Sequence, residues 1–291
     1  MDWLTDPFAA QFMQRALWAG MLAVVASSVV GTWVVLRGLS FLGDALAHGV
    51  IPGMALAVLW GFDLTLGALA TAAVMVGGIT FVNRRARLAE DTAVGLLFVG
   101  MLALGVVIIS KSRSFATDVQ SLLFGDVLGV TWSDLRIQAL AAAVVVVASV
   151  LGYRAFLTLS FNEAKAGSLG LRPSVTHFAL LGLIAVAIVS SFQAVGTLLV
   201  FGLLVGPPAT AALLVRRVWL TMLVAVALGW LAVVAGLVLS YRYGTAAGAT
   251  MAGSSVALFF LVLIAQEVLA ATRRTDPGDA THPPDHVHHH H

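Results

Sequence analysis

Residues 37–53 read RGLSFLGDALAHGVIPG and place an aspartate, Asp44, and a histidine, His48, four positions apart in an otherwise apolar stretch. That spacing puts both side chains on one face of a helix. Pro52 has no N–H, so the carbonyl of His48 loses its helical partner or the helix kinks there. One short segment thus offers a carboxylate oxygen, an imidazole nitrogen and a loose carbonyl. The plainer alternative is a cap: Asp44 follows Gly43 and suits a helix N-cap. A cap accounts for the aspartate but not for the histidine one turn later.

The surroundings make that pair costly. Of 291 residues 60% are hydrophobic and only 10% charged, where a soluble domain carries about a quarter charged. The mean hydropathy is +0.99. The chain therefore reads as an integral membrane protein, all-α, a polytopic transmembrane helix bundle. In hydrocarbon an ionisable residue costs about 2.5–3.5 kcal/mol on insertion scales, which marks Asp44 and His48 as a functional site. The absence of cysteine excludes disulfides, thiolate metal sites and cysteine nucleophiles. A formal charge of +2, scattered over segment ends, gives no footprint for nucleic acid. The chain opens with Asp2 and Asp6 rather than a basic start, so its first apolar span is expected to be retained rather than cleaved.

Apolar runs long enough to cross or nearly cross a bilayer occupy 16–36, 45–60, 64–82, 92–110, 135–156, 178–192, 195–215, 219–240 and 249–270. About nine crossings result, with the short second and sixth candidates for broken or re-entrant helices. An outer N-terminus puts Arg37, Arg84, Arg85, Arg87, Arg154, Lys165, Arg172, Arg216, Arg217, Arg273 and Arg274 inside. Arg15, Lys111, Arg113, Arg136 and Arg242 are then outside, and eleven against five favours that orientation, with a cytoplasmic C-terminus.

Between the crossings, the outer stretch 111–134 is acidic with an apolar middle and is expected either to fold back as a short helix on the bundle mouth or to be an interfacial connector with Trp132 at headgroup level. The inner stretch 153–176 contains FNEAKAGSLGLRPSVTH, which predicts a short helix over 162–168 ended at Gly170 and Pro173. Pro207 and Pro208 remove the helical partners of the Leu203 and Leu204 carbonyls and predict a break in the seventh crossing. Residues 1–272 form the membrane domain, and 273–291 a polar, disordered tail rich in histidine. The four terminal histidines, 288–291, are either part of a purification tag or a native metal-binding tract, and His282 and His286 before them favour the native one, with His282, His286 and His288 as candidate metal-binding side chains.

No nucleophile elbow, HExxH pair or Walker A sequence occurs, so neither intramembrane hydrolysis nor ATP hydrolysis by this chain is expected. Carboxylate plus imidazole without thiolate suits divalent first-row ions such as zinc, manganese and iron(II). A twofold dimer around a central path would double the donors to two aspartates and two histidines. His177, Gln193, Gln266 and Glu267 lie at crossing ends and read as interfacial anchors.

The stretch VVLRGLSFLGDALAHGVIPGMALA resembles the signature of the ABC-3 family of metal-ion permeases, the membrane subunits of bacterial zinc, manganese and iron importers. The likeness continues in EDTAVGLLFVGMLALGVVIIS, QSLLFGDVLGVTWSDL, FNEAKAGSLGL and VGTLLVFGLLVGPPATAALL, which keep the family order up to about residue 270. The resemblance implies a multi-pass permease in a bacterial plasma membrane, paired as a homodimer. Its partners would be two cytoplasmic ATP-binding subunits and an extracytoplasmic metal-binding protein. It implies no tightly bound cofactor, the metal ion, Mn2+ or Zn2+ with Fe2+ as a third candidate, being cargo. On this likeness Asp44 and His48 are metal ligands of the path, and Asn162, Glu163, Ala164, Ala166, Gly167 and Gly170 form the ATPase-coupling segment. The acidic outer loop, with Asp118 and Asp126, is expected to gate the mouth. The double proline departs from the family's usual single proline followed by alanines. Rival readings are a permease for siderophores or cobalamin, which would not need fixed ion ligands, a proton-coupled secondary metal transporter with Asp44 and His48 as a relay, and a purely structural anchor.

Overall fold

Long apolar runs in hydrocarbon leave the backbone no partner but itself, and the helix is the form that satisfies it within one segment. A computed structural model describes residue 8 and residues 10–86, 89–110, 129–161 and 173–274. Ten helices follow in order: α1 (Gln11–Leu36), α2 (Ser40–Gly49), α3 (Ile51–Trp60), α4 (Leu64–Arg85), α5 (Glu90–Ile109), α6 (Trp132–Leu151), α7 (Tyr153–Phe161), α8 (Pro173–Leu214), α9 (Val218–Tyr243) and α10 (Ala247–Arg274). Among the described residues eight helical stretches are long and apolar enough to cross a membrane, Ser40–Trp60 and Pro173–Phe192 among them, and Leu199–Leu214 is a shorter apolar helix. These are the nine runs read from sequence, with the last part of α8 reaching only about 24 Å.

Two expectations are corrected. The fifth run, expected over 135–156, ends at Leu151, and Gly152 separates it from α7. Its start lies at Trp132, because Thr131 and Asp134 form a reciprocal capping box, so Asp134 belongs to a helix start and not to the outer loop. The break expected at Pro207 and Pro208 lies instead at Gly196, where φ 74° and ψ 166° leave helical geometry while both prolines stay inside helix. Only glycine takes that backbone without strain.

The break at Gly196 folds α8 back on itself. His177 meets Arg37, while Leu204 packs against Gly31. In an unbroken helix those two α8 residues would be about 40 Å apart, yet Arg37 and Gly31 are separated by only about 9 Å of α1. The prolines survive because α1 covers Pro208 at Gly31 and α9 covers Pro207 at Gly229. A β-carbon on Gly31 would fall 1.9 Å from the Leu204 carbonyl oxygen, the group that Pro208 deprives of its helical donor. Glycine at 31 thus lets the two backbones touch, with Cα–H contacts to the freed oxygen.

Helix α1 is the central post, 67% of its most apolar window being buried, against 6% for α10 at the periphery. Its Ser27, Ser28 and Thr32 are buried, and Thr32 returns its hydroxyl to the Ser28 carbonyl at 2.8 Å. Gln138 of α6 donates to the Ala19 carbonyl at 3.1 Å. Trp33 meets the ring edges of Tyr153 and Phe156 at 5.5 and 5.7 Å, which fastens α7 to the same post.

Substituting Gly31 by alanine drives a methyl into the Leu204 carbonyl, which is backbone and cannot swing away. We expect a loss of about 1–3 kcal/mol, seen as a lower unfolding midpoint in detergent. Gly77→Ala, where a β-carbon meets nothing within 4 Å, lowers it not at all.

Candidate metal path

Helix α2 starts at Ser40, so Asp44 lies in its second turn and caps nothing, and Leu39 holds the cap position without a side-chain bond. Asp44 and His48 share a face as their spacing requires. Asp44 Oδ1 lies 3.5 Å from His48 Nε2, with side chains 32% and 26% exposed. The flank of the histidine is aromatic: Phe98 of α5 stands edge-on to it at 6.0 Å and to Phe41 at 5.5 Å.

Pro52 produces the predicted interruption at Val50, between α2 and α3. The His48 carbonyl is not loose, however, since the Val50 N–H turns back onto it. The Val50 carbonyl in turn accepts from the amides of Gly53 and Met54 at 3.1 and 3.2 Å. Thr71 of α4 adds its hydroxyl at 3.3 Å. Just beyond, Gly53 and Gly67 cross so closely that a β-carbon on either would strike the other's carbonyl. The joint under His48 is therefore clamped to α4, which sets where the imidazole stands.

A second polar group lies at the other end of α2. Arg37, in the joint between α1 and α2, approaches His177 Nδ1 at 3.2 Å and Glu90 Oε2 at 3.5 Å. His177 Nε2 lies 3.3 Å from Glu90 Oε1. Arginine only donates, so Nδ1 accepts and the ring proton sits on Nε2, facing the carboxylate. Three helix ends, the last residue past α1 and the first turns of α5 and α8, are thus tied on one side of the bundle. Two crossings between Arg37 and Glu90 satisfy this only if α2 and α3 together make one. His177 is an anchor, as its position suggested, but it anchors to named partners, and Glu90 was not singled out beforehand. Its signal was an acidic residue opening a crossing on the same side as Arg37. Gln266 likewise anchors, donating to the Leu213 carbonyl at 2.7 Å.

The described residues hold no group of three or more histidine, cysteine, aspartate or glutamate side chains arranged to grip a metal. Asp44 and His48 are therefore two donors in search of others. The expected coupling residues Asn162, Glu163, Ala164, Ala166, Gly167 and Gly170, the gate residues Asp118 and Asp126, and His282, His286 and His288 lie outside the described residues.

Comparison with known proteins bears on what such a bundle does. The model of the ABC 3 transport family matches residues 9–266. The manganese transport system membrane protein MntC of Listeria monocytogenes is 35% identical over 253 residues, covering 87% of this chain and 90% of that protein. A Haemophilus influenzae protein named "Probable iron transport system membrane protein" is 34% identical over 262 residues, 90% of this chain and 96% of its own. Among solved structures, PsaBC from Streptococcus pneumoniae in complex with Fab superposes with a TM-score of 0.79 at 29% identity, covering 90% of this chain and 94% of that one.

Removing the arginine of the three-helix cluster leaves Glu90 and His177 facing each other without their cation. Arg37→Ala is expected to cost about 1–3 kcal/mol, the scale for leaving a part-buried charged group without its hydrogen-bond partner. Thermal unfolding in detergent measures it. A double-mutant cycle with Glu90→Ala should be non-additive by about 0.5–3 kcal/mol.

Proposed function

This chain belongs to the ABC 3 transport family as the membrane permease subunit of an ABC importer, and from that premise we propose that it carries manganese or iron(II) inward across a bacterial plasma membrane along a path lined by Asp44 and His48. The chain itself is not an ATPase; it has no Walker A sequence, and hydrolysis falls to separate subunits.

The observation that carries the reading is the half-complete donor set. Asp44 and His48 point the same way from α2 and remain about a third and a quarter exposed within an apolar membrane-crossing stretch. An ionisable pair does not face lipid without a large cost. A second copy across a twofold axis supplies the missing partners and leaves two carboxylates and two imidazoles around one ion. Such oxygen and nitrogen donors take manganese and iron, and zinc would bind the same set more tightly. Selection then rests on geometry and on which ion the extracytoplasmic binding protein delivers. The site has to bind weakly enough to release.

Orientation follows the charge count, with the Arg37 side cytoplasmic. The Arg37–Glu90–His177 cluster supports it by tying three loop ends to one side. The residues expected to dock the ATPase, Asn162, Glu163, Ala164, Ala166, Gly167 and Gly170, follow Phe161 in sequence and would belong to that side in this scheme. ATP-driven closure would then shift α8 and, through Arg37, the start of α2, exposing the ion alternately to the two sides. Asp118 and Asp126 belong to the outer mouth in the same scheme. The relatives' names, manganese and iron transport, favour ions over large chelates.

Uptake of radiolabelled manganese, iron and zinc tests the reading in cells stripped of their own importers and given this chain with its ATPase and binding protein. Wild type should take up manganese or iron. His48→Ala and Asp44→Ala should lower it about tenfold or more, on the scale of losing a metal-binding group, with complex assembly unchanged. Normal uptake by both variants sinks the ligand role, and zinc uptake alone sinks the choice of ion.

A further inference from the structure

We propose that Phe41, laid against Phe98, is the inner gate of this path: an aromatic plug on the Arg37 side of Asp44 that keeps the ion from slipping through before the transporter turns. The inference rests on the reading of Asp44 and His48 as the metal path and adds a residue with a separate task.

Phe41, Asp44 and His48 stand at i, i+3 and i+7 of α2 and so form one stripe along the helix. Phe41 is the member nearest Arg37, about 4.5 Å of helix rise below Asp44. It is 41% exposed on that stripe. Lipid does not explain the exposure, because the next two residues of the stripe are ionisable and hydrocarbon would reject them. The ring shares their surroundings, which the proposed function makes a pathway.

Helix α5 sets the ring in place. Phe98 meets both ends of the stripe, edge-on to Phe41 at 5.5 Å and to His48 at 6.0 Å. One turn before it, Gly95 offers a bare surface, since a β-carbon there would lie 4.0 Å from Phe41 Cε1. Depths agree along both helices. Glu90 is bonded to Arg37, so Phe98, about 12 Å along α5 from Glu90, stands above Phe41 and below His48, where its ring reaches both.

The plug is one-sided. Residues 49–59, GVIPGMALAVL, carry no aromatic ring on the other side of His48. An ion leaving Asp44 toward the Arg37 side meets the Phe41 ring within one turn of the same helix, whereas α2 and α3 themselves offer no ring on the opposite side of His48 until Trp60. A hydrophobic constriction blocks a hydrated ion by excluding water. In the twofold pair two Phe41–Phe98 couples would close on each other, and rotation of α2 would part them.

The test uses the full transporter, permease pair plus ATPase, in liposomes containing a manganese-quenched dye and no nucleotide. Wild type should be tight, and Phe41→Ala should admit manganese about tenfold faster or more. Phe41→Trp should stay tight, since bulk is what the plug needs. Co-trapped calcein must remain inside. Asp44→Ala, assayed with ATP, checks the path reading separately: if it transports normally the path is elsewhere and the gate falls with it. If Asp44→Ala is inactive while Phe41→Ala stays as tight as wild type, the path stands and the gate is wrong. Should Phe41→Ala fail to assemble, Phe98→Ala is read in its place by the same criterion. Loss of calcein from either variant indicates a broken bundle and overturns the proposal.

Discussion

A backbone carbonyl freed inside a membrane has no water to turn to, and the architecture of this chain is arranged around the few places where that happens. Pro52 takes the helical donor from the His48 carbonyl, which the Val50 N–H then meets within the joint, and Pro207 and Pro208 free those of Leu203 and Leu204. At each place another helix comes unusually close. Thr71 and the Gly53–Gly67 crossing brace the first from α4, and Gly31 lets α1 reach the second. The small residues that permit these approaches are therefore what allow breaks to exist in the path at all. Their closeness also makes the helix that carries Asp44 and His48 stiff where His48 stands, because α3 cannot shift without moving α4.

The opposite end of α2 is held differently. There the joint carrying Arg37 is tied by charge-assisted contacts to Glu90 and His177 rather than by packed backbones. Packed glycine crossings have one arrangement, whereas a cluster of long side chains can break and remake without a cavity forming. A helix clamped at its outer end and tethered at its inner end pivots about the clamp. Under the proposed orientation the tether faces the ATPase, so force applied near the start of α8 reaches α2 at the end that is free to swing.

Much of the fold was legible because hydrophobic length is a strong signal: the crossings fall within a few residues of the runs that suggested them. The Asp44–His48 pair was legible for the same reason, being anomalous in its surroundings. What sequence could not supply was which break mattered. Proline marked Pro207–Pro208 as the bend, yet a flanking helix healed that site, and the true reversal at Gly196 carried only a single glycine among 28 as its sign. Proline states a local cost, and tertiary contacts decide whether the helix yields to it. The Arg37–Glu90–His177 cluster was hidden because its members are 53 and 140 residues from Arg37, and partners so far apart carry no periodicity. The cap reading of Asp44 failed on a boundary, the helix starting five residues earlier than a cap would need.

An importer must take its ion and let it go, and a donor set divided between two chains suits that better than a closed cage. Two donors from one chain hold a divalent ion weakly, and the same two opposed by a second pair hold it well. Affinity then depends on the distance between the copies and not on any change within one. Under the proposed function a modest pivot of α2 in each copy would open the cage from both sides at once, so release would need no ligand to be protonated or withdrawn. The same motion would carry Phe41, one turn along the stripe, away from its counterpart. Site and plug on one helix face couple loss of affinity to opening of the exit, which is the order in which an inward step must run.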